Sequence, residues 1–144
     1  MKKVLFMTVI FAISMSLNAS NDRPVTFEQL PQKAQQFIKQ HFPNLQISIA
    51  KQDMDLTDKN YDVIFVNGDK IEFTSNGEWT SIDCKYGNVP ESAVPSQILN
   101  YVKTYHKDLA IIKIEKNRRN YEVKLKNKIE LIFDLKYNFV KYDD

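Results

Sequence analysis

The order of apolar and polar residues along the chain predicts two amphipathic helices. In each, apolar residues recur at i, i+4, i+7, i+8 and i+11, a spacing that forms one face of a helix. The two sets lie 64 positions apart: Leu30, Ala34, Phe37, Ile38 and His41, then Val94, Ile98, Tyr101, Val102 and Tyr105. Pro31 and Pro95 stand where each helix begins, and proline is tolerated there because its missing N–H would have no partner.

The alternating pattern after each helix predicts four short strands. They are expected at residues 46–51, 61–67, 70–75 and 78–85 in the first half, and at 111–116, 121–126, 129–134 and 138–142 in the second. Asn67-Gly68 and Asn76-Gly77 predict tight hairpin turns, because both residue types tolerate positive φ. Hairpins of this length indicate antiparallel meanders in which alternate side chains face the core.

The strands also match between the two halves, which indicates an internal duplication. At an offset of 60 the apolar positions Tyr61, Val63, Phe65, Ile71, Phe73 and Trp79 pair with Tyr121, Val123, Leu125, Leu131, Phe133 and Phe139. We therefore expect repeat 1 at residues 20–86 and repeat 2 at residues 87–144, together forming one compact domain. The predicted fold class is α+β: a two-layer, tandem repeat of a helix plus a four-stranded antiparallel meander, with both helices on one face of the sheet.

Residues 1–19 have the features of a secretory signal peptide. Lys2 and Lys3 provide a basic start, residues 4–17 are mainly apolar, and Ala19 is a small residue suited to cleavage. The apolar run is shorter than the roughly 20 residues of a transmembrane helix. We expect cleavage after Ala19, which would leave 125 of the 144 residues and no membrane span.

Composition and charge narrow the function class. With 43% apolar and 12% aromatic residues the chain can fill a core. Cys84 is the sole cysteine, so no intrachain disulfide can form, and it is expected to be a packed strand residue. The formal net charge of +2 is too weak for a nucleic-acid binder. The two halves differ in net charge, which is −3 for residues 20–86 and +3 for residues 87–144.

The chain lacks the common motifs of catalysis and cofactor binding. It contains no G-x-S-x-G elbow, no phosphate-binding Walker loop and no dinucleotide fingerprint. His41 and His106 have no partner at metal-ligand spacing, and Asp53, Asp55 and Asp58 lack the Gly and Glu of an EF-hand loop. We therefore predict no catalytic residue, no metal ligand and no cofactor. A cleft with a base beside a nucleophile would indicate a hydrolase instead.

The candidate binding surface is the sheet face that points away from the core. Ile64 and Val66 occupy the repeat positions of Lys124 and Lys126, and Ile132 lies on the next strand. Residues 113–128 are strongly basic, so an apolar centre with a charged rim is expected on this face, as in many protein interfaces. The expected partner is another envelope or secreted protein, and not a nucleic acid. A small-ligand or metal-binding envelope protein is the alternative.

One motif set resembles a known family. It runs Leu30-Pro31-x-x-Ala34-x-x-Phe37-Ile38-x-x-x-Phe42-Pro43, then Tyr61-x-Val63, then Phe73-x-x-x-Gly77-x-Trp79. This pattern resembles the PepSY-like family of small secreted proteins from Gram-negative bacteria, which are similar in fold to the beta-lactamase inhibitory protein. The resemblance implies a periplasmic location and a non-catalytic binding or inhibitory role, such as inhibition of an envelope enzyme. It supplies no catalytic residues.

Overall fold

Nine antiparallel strands and two helices make up the structure, a computed structural model that describes residues 22–54 and 59–143. The predicted signal peptide at 1–19, with Asp55 and Asp58 of the acidic turn, lies outside the described residues. The strands are β1 (Asp22–Val25), β2 (Ile47–Met54), β3 (Lys59–Phe65), β4 (Lys70–Phe73), β5 (Trp79–Asp83), β6 (Ile111–Lys116), β7 (Asn120–Leu125), β8 (Glu130–Asp134) and β9 (Phe139–Asp143).

The strands form one open sheet whose spatial order is the order of the chain, from β1 to β9. Helix α1 (Gln32–His41) lies between β1 and β2 in the chain, and helix α2 (Ser96–Tyr105) lies between β5 and β6. A short 3-10 helix precedes each of them, at Phe27–Gln29 and Glu91–Ala93. Neither α1 nor α2, which have ten residues each, is long and apolar enough to cross a membrane.

The α+β class, the two helices and the antiparallel sheet predicted from the sequence are confirmed. The predicted number of eight strands is wrong, because β1 adds a ninth. This strand of four residues, Asp-Arg-Pro-Val, is too short and polar to show alternation. It pairs with residues 50–53 of β2, two of which lie past the predicted end at residue 51. Pro24 is tolerated there because an edge strand has a free hydrogen-bonding side.

The core forms along one face of the sheet. Successive cross-strand partners carry apolar side chains, in the row Ala50, Val63, Ile71, Ile82, Ile114, Val123 and Leu131, and all of them are buried. Each helix packs an aromatic ring against a strand of the sheet. The ring centroids of Phe37 and Phe73 are 5.8 Å apart, and those of Tyr101 and Phe133 are 5.4 Å apart.

The turn between β4 and β5 contacts the start of α1 through Gly77. This residue has φ +84, a backbone conformation that residues with a Cβ rarely adopt. A Cβ at this position would lie 2.8 Å from the backbone N of Ala34 and 2.9 Å from Cβ of Pro31. The close approach of helix and turn therefore depends on the missing side chain.

We predict that Gly77→Ala lowers the free energy of unfolding by about 2–5 kcal/mol. Left-handed backbone costs a residue with a Cβ about 1–2 kcal/mol, and overpacking adds about 1–3 kcal/mol. Gly87→Ala is the matched control, because nothing lies within 4 Å of a Cβ there, and a change within about 0.5 kcal/mol is expected. Urea unfolding followed by circular dichroism measures both, and equal losses in the two variants would contradict the explanation.

Cys84 follows β5 and is fully buried. Burial, and then the negative charge of Asp69, raises the pKa of its thiol to about 12. The reactive form of cysteine is the thiolate, which is scarce at neutral pH when the pKa is this high. Cys84 is thus a packed residue, as the sequence suggested.

We predict that Cys84 of the folded protein does not react with Ellman's reagent at pH 8. In guanidinium chloride one thiol per chain is expected to react at once, because unfolding exposes the side chain and restores its ordinary pKa. The absorbance of the released thiolate measures both reactions. Rapid stoichiometric labelling of the folded chain would mean that the thiol is accessible.

Candidate functional site

The sheet face opposite the apolar row carries mostly charged side chains. Two adjacent cross-strand rows run across it. One consists of Lys51, Asp62, Glu72, Ser81, Glu115, Glu122, Ile132 and Lys141, and the other of Ile49, Ile64, Lys70, Asp83, Lys113, Lys124, Glu130 and Asp143. We call these two rows the open face. They follow from side-chain alternation, which places every second residue of a strand on the opposite side of the sheet.

Acidic and basic residues both occur across the open face, and several of them form ion pairs. Lys70 Nζ lies 3.2 Å from Asp62 Oδ2 and 2.9 Å from Glu72 Oε1. Burial opposes the charge of Lys70, but the hydrogen bond to Glu72 and the charge of Asp62 outweigh it and raise the pKa of the amine. Lys113 has an equivalent 3.0 Å contact with Glu115, whose hydrogen bond raises the pKa of Lys113.

Ile64 and Lys124, two of the predicted binding residues, lie in the same cross-strand row. Four strand spacings separate them, which corresponds to about 19 Å. Ile64 pairs with Ile49, which is 43% exposed, so an apolar pair stands at one side of the row. Lys124 Nζ lies 3.3 Å from Glu130 Oε1 at the other side.

The other three predicted binding residues are in different environments. Val66 is 65% exposed but lies just beyond the end of β3, and its N–H donates to Gln46 O. Lys126 lies just beyond the end of β7 and is exposed. Ile132 belongs to the open face and is only 5% exposed, although it is outside the main hydrophobic core. Its cross-strand neighbours are Glu122 and Lys141, whose aliphatic stems can cover an apolar side chain.

The basic stretch at residues 113–128 does not form one patch. Lys113 and Lys124 are engaged in ion pairs within the open face. Arg118 and Arg119 belong to the turn before β7, whereas Lys126 and Lys128 follow its other end. A strand of six residues separates the two groups, about 20 Å of extended chain, so their charges cannot act on one small ligand.

A groove on another part of the molecule was not predicted from the sequence. It has a volume of about 600 Å³ and lies between α1, the β4–β5 turn and the segment leading into α2. Trp79, Tyr121 and Tyr137 are among the residues that line it. The ring centroids of Trp79 and Tyr121 are 6.2 Å apart, and those of Tyr121 and Tyr137 are 5.3 Å apart. We call this feature the aromatic groove.

Tyr121 is 4% exposed, which agrees with the expectation of a core residue, but its ring also forms part of the groove wall. Burial, and then a hydrogen bond with Tyr137, raises the pKa of Tyr121 to about 12. Trp79 is partly exposed and lines the same groove. Trp79 and Tyr121 belong to the apolar set that matches between the halves of the sequence, and no residue spacing predicts a gap beside them.

Polar side chains at the groove are paired across its edges. Lys33 Nζ of α1 lies 2.9 Å from Glu78 Oε1, and this contact lowers the pKa of Glu78. His41 Nδ1, at the end of α1, lies 2.8 Å from Ser92 Oγ. Burial lowers the pKa of His41, which favours the neutral imidazole at neutral pH.

The contact between His41 and Ser92 has the distance that a base and a nucleophile require. Catalysis also needs a third group that orients the base. No hydrogen-bond partner of His41 Nε2 is present within residues 22–54 and 59–143. The contact joins the end of α1 to the 3-10 helix before α2.

Among the described residues, no group of three or more His, Cys, Asp or Glu side chains could hold a metal ion. Asp53 of the predicted acidic turn lies on β2, directly opposite Asp22 of β1. The carboxylate of Asp22 is 2.7 Å from Lys51 Nζ, so a lysine already neutralises part of the charge at this end of the sheet.

Comparison with protein families and solved structures assigns relatives to the chain. A family model described as "Putative beta-lactamase-inhibitor-like, PepSY-like" matches residues 16–57 and 59–141. No protein with a curated description matches the chain.

Three solved structures from two Bacteroides species are similar over most of the chain. A "putative periplasmic protein from DUF2874 family" of Bacteroides vulgatus is 48% identical with a TM-score of 0.83, and a "putative calcium-regulated periplasmic protein" of Bacteroides thetaiotaomicron is 46% identical with a TM-score of 0.84. Each match covers 88% of this chain and 99% of the other. A further Bacteroides vulgatus protein, "of unknown function", is 36% identical with a TM-score of 0.79 and coverages of 85% and 99%.

Proposed function

The chain belongs to the PepSY-like family, and from this membership we propose that it is a periplasmic, non-catalytic binding protein whose open face contacts another envelope or secreted protein. The descriptions of its relatives as periplasmic support the location. The basic, apolar and small-residue order of residues 1–19 supports export through a cleaved signal peptide.

One observation carries the proposed binding role, namely the composition of the row from Ile49 to Lys124. An apolar pair, made of Ile49 with 43% exposure and the half-buried Ile64, stands beside a series of half-exposed charges of both signs. An apolar contact beside a polar rim is the usual anatomy of a protein interface. The ion pairs within the open face also favour specific partners. A protein that disrupts one of them on binding must supply an opposite charge in its place.

We further propose that the domain consists of two repeats, at residues 20–86 and 87–144, with both helices over the same face of the sheet. Equivalent backbone contacts support this. Gly68 and Gly77 have positive φ, and so do Lys128 and Tyr137, which lie 60 positions further on. The Val66 N–H donates to Gln46 O, and the Lys126 N–H donates to Ala110 O.

We predict that the double variant Ile64→Glu with Lys124→Glu loses its protein partner while it keeps its fold. The first substitution would place an unpaired carboxylate where the apolar contact is proposed, and the second would put a carboxylate opposite that of Glu130 on the neighbouring strand. Affinity capture from periplasmic extract, quantified by mass spectrometry, compares the variant with the wild-type chain. Far-ultraviolet circular dichroism checks that the sheet is intact.

The control for this experiment is the double variant Tyr105→Glu with Lys107→Glu. It makes the same two kinds of change at the end of α2, where both residues are exposed and lie outside the open face. The control is expected to capture the same proteins as the wild-type chain. Identical captured sets for all three proteins would contradict a binding role for the open face.

Calcium binding is a second candidate function, because the Bacteroides thetaiotaomicron relative is described as "putative calcium-regulated". Asp53 and Asp22 face each other across β1 and β2, and Asp55 and Asp58 follow β2 in the sequence. Carboxylate oxygens are the ligands that Ca²⁺ prefers. This candidate differs from the first because it needs the β1–β2 end of the sheet and not the row of Ile64 and Lys124.

If calcium binds there, isothermal titration with CaCl₂ is expected to give saturable heat that Asp55→Ala abolishes. The midpoint of thermal unfolding is expected to rise with calcium concentration, since a ligand that binds the folded state stabilises it. MgCl₂ serves as the control cation. The absence of heat, or equal heat from Asp55→Ala, would remove calcium from consideration at this position.

A further inference from the structure

The aromatic groove has the size and lining of a ligand site. Its volume of about 600 Å³ falls within the range of about 300–1,000 Å³ that is common for such sites. Its wall offers the rings of Trp79, Tyr121 and Tyr137, and aromatic side chains of this kind supply much of the energy of known interfaces. The residues of the open face, including Ile64 and Lys124, do not line it.

A positive charge is held over the aromatic wall. Lys116 Nζ lies 5.8 Å from the centroid of the Tyr121 ring. Within residues 22–54 and 59–143 Lys116 forms no ion pair, but its charge acts on Glu78, which is paired with Lys33. A second hollow, of about 440 Å³, shares Glu78, Trp79 and Lys116 with the groove and adds Arg118. Lys33, Lys116 and Arg118 outnumber the carboxylate of Glu78, so the net charge around Trp79 is positive.

Tyr137 occupies the groove at the cost of an unfavourable backbone conformation. Its φ is +68, which is unusual for a bulky residue and less favourable than an ordinary conformation. Gly77 stands at the corresponding position, 60 residues earlier, and adopts this conformation without the penalty. Backbone strain of this kind is concentrated at binding sites, so the Tyr137 ring is a candidate ligand contact.

We propose that the aromatic groove binds an acidic peptide segment in which carboxylate side chains flank an aromatic one. The aromatic side chain packs against Trp79 and Tyr137, and a carboxylate pairs with Lys116. Charge complementarity favours this ligand, because Lys116 and Arg118 add positive charge beside the ion pair of Lys33 and Glu78. The proposal concerns a second surface and does not depend on the open face.

Trp79 allows a direct test because it is the only tryptophan in the chain. The probe is the capped peptide Glu-Glu-Phe-Glu-Glu, which has no tryptophan, so any change in tryptophan emission comes from the groove. The capped peptides Lys-Lys-Phe-Lys-Lys and Glu-Glu-Ala-Glu-Glu are the comparison probes. We expect saturable binding of the first probe, weakened by salt, and at least tenfold weaker binding of the other two.

Lys116→Glu is expected to weaken binding of the acidic probe at least tenfold. Lys128→Glu makes the same change of charge at the opposite end of β7, outside the groove, and is expected to bind as the wild-type chain does. Tyr137→Gly removes the ring and the unfavourable backbone conformation. This variant is expected to keep its fold, shown by a cooperative thermal transition, and to bind the acidic probe at least fivefold more weakly. Thermal unfolding followed by circular dichroism identifies any variant that fails to fold.

Several results would overturn the proposal. One is the absence of any saturable change in Trp79 emission up to about 1 mM of the acidic probe, a concentration that detects even weak binding. Another is equal binding of the acidic and basic probes, or unchanged affinity in a folded Lys116→Glu chain. Tenfold weaker binding by both Lys116→Glu and Lys128→Glu would also contradict it, because the effect would then follow net charge and not the groove.

Discussion

The structure depends on the two-residue alternation of side chains in a single continuous sheet. Val63, Ile71, Ile82, Ile114 and Val123 are cross-strand partners on five successive strands, and all five are buried. A slip of one residue in any pairing would turn that strand's open-face residues, most of which are charged, towards the core and its apolar residues towards water. The buried row therefore determines the register, and the register in turn places the charges of the open face opposite one another.

The junction between β5 and β6 unites the two halves of the chain. Only three residue pairs connect these strands, yet Ile82 and Ile114 continue the apolar row across them without a break. Beside this junction a space is left between α1, the β4–β5 turn and the segment before α2, and this space is the aromatic groove.

The open face and the aromatic groove belong to the same sheet but differ in chemistry. The open face presents paired charges beside isoleucines, and the groove presents aromatic rings beside Lys116.

Periodicity was sufficient to predict the helices and most strands, since each buries one regular face. It missed β1, whose four residues depend on pairing with β2 and carry little pattern of their own.

The proposed binding residues were less predictable. Alternation assigns Ile64, Lys124 and Ile132 to the face away from the core, but it could not indicate that Ile132 is only 5% exposed there. Burial of a residue depends on how long side chains from adjacent strands lie over it, which a single strand does not specify.

The sequence by itself determined the α+β class, the antiparallel hairpins, the inward set of each strand and the buried state of Cys84. These features depend on local turn chemistry and on side-chain periods of about 3.6 and 2 residues. Only the tertiary structure decided which charges pair across the open face, that the basic stretch divides between two ends of β7, and that Trp79, Tyr121 and Tyr137 line a common groove. Such features bring together residues from distant parts of the chain, and their geometry arises from packing between elements rather than from the pattern within any one of them.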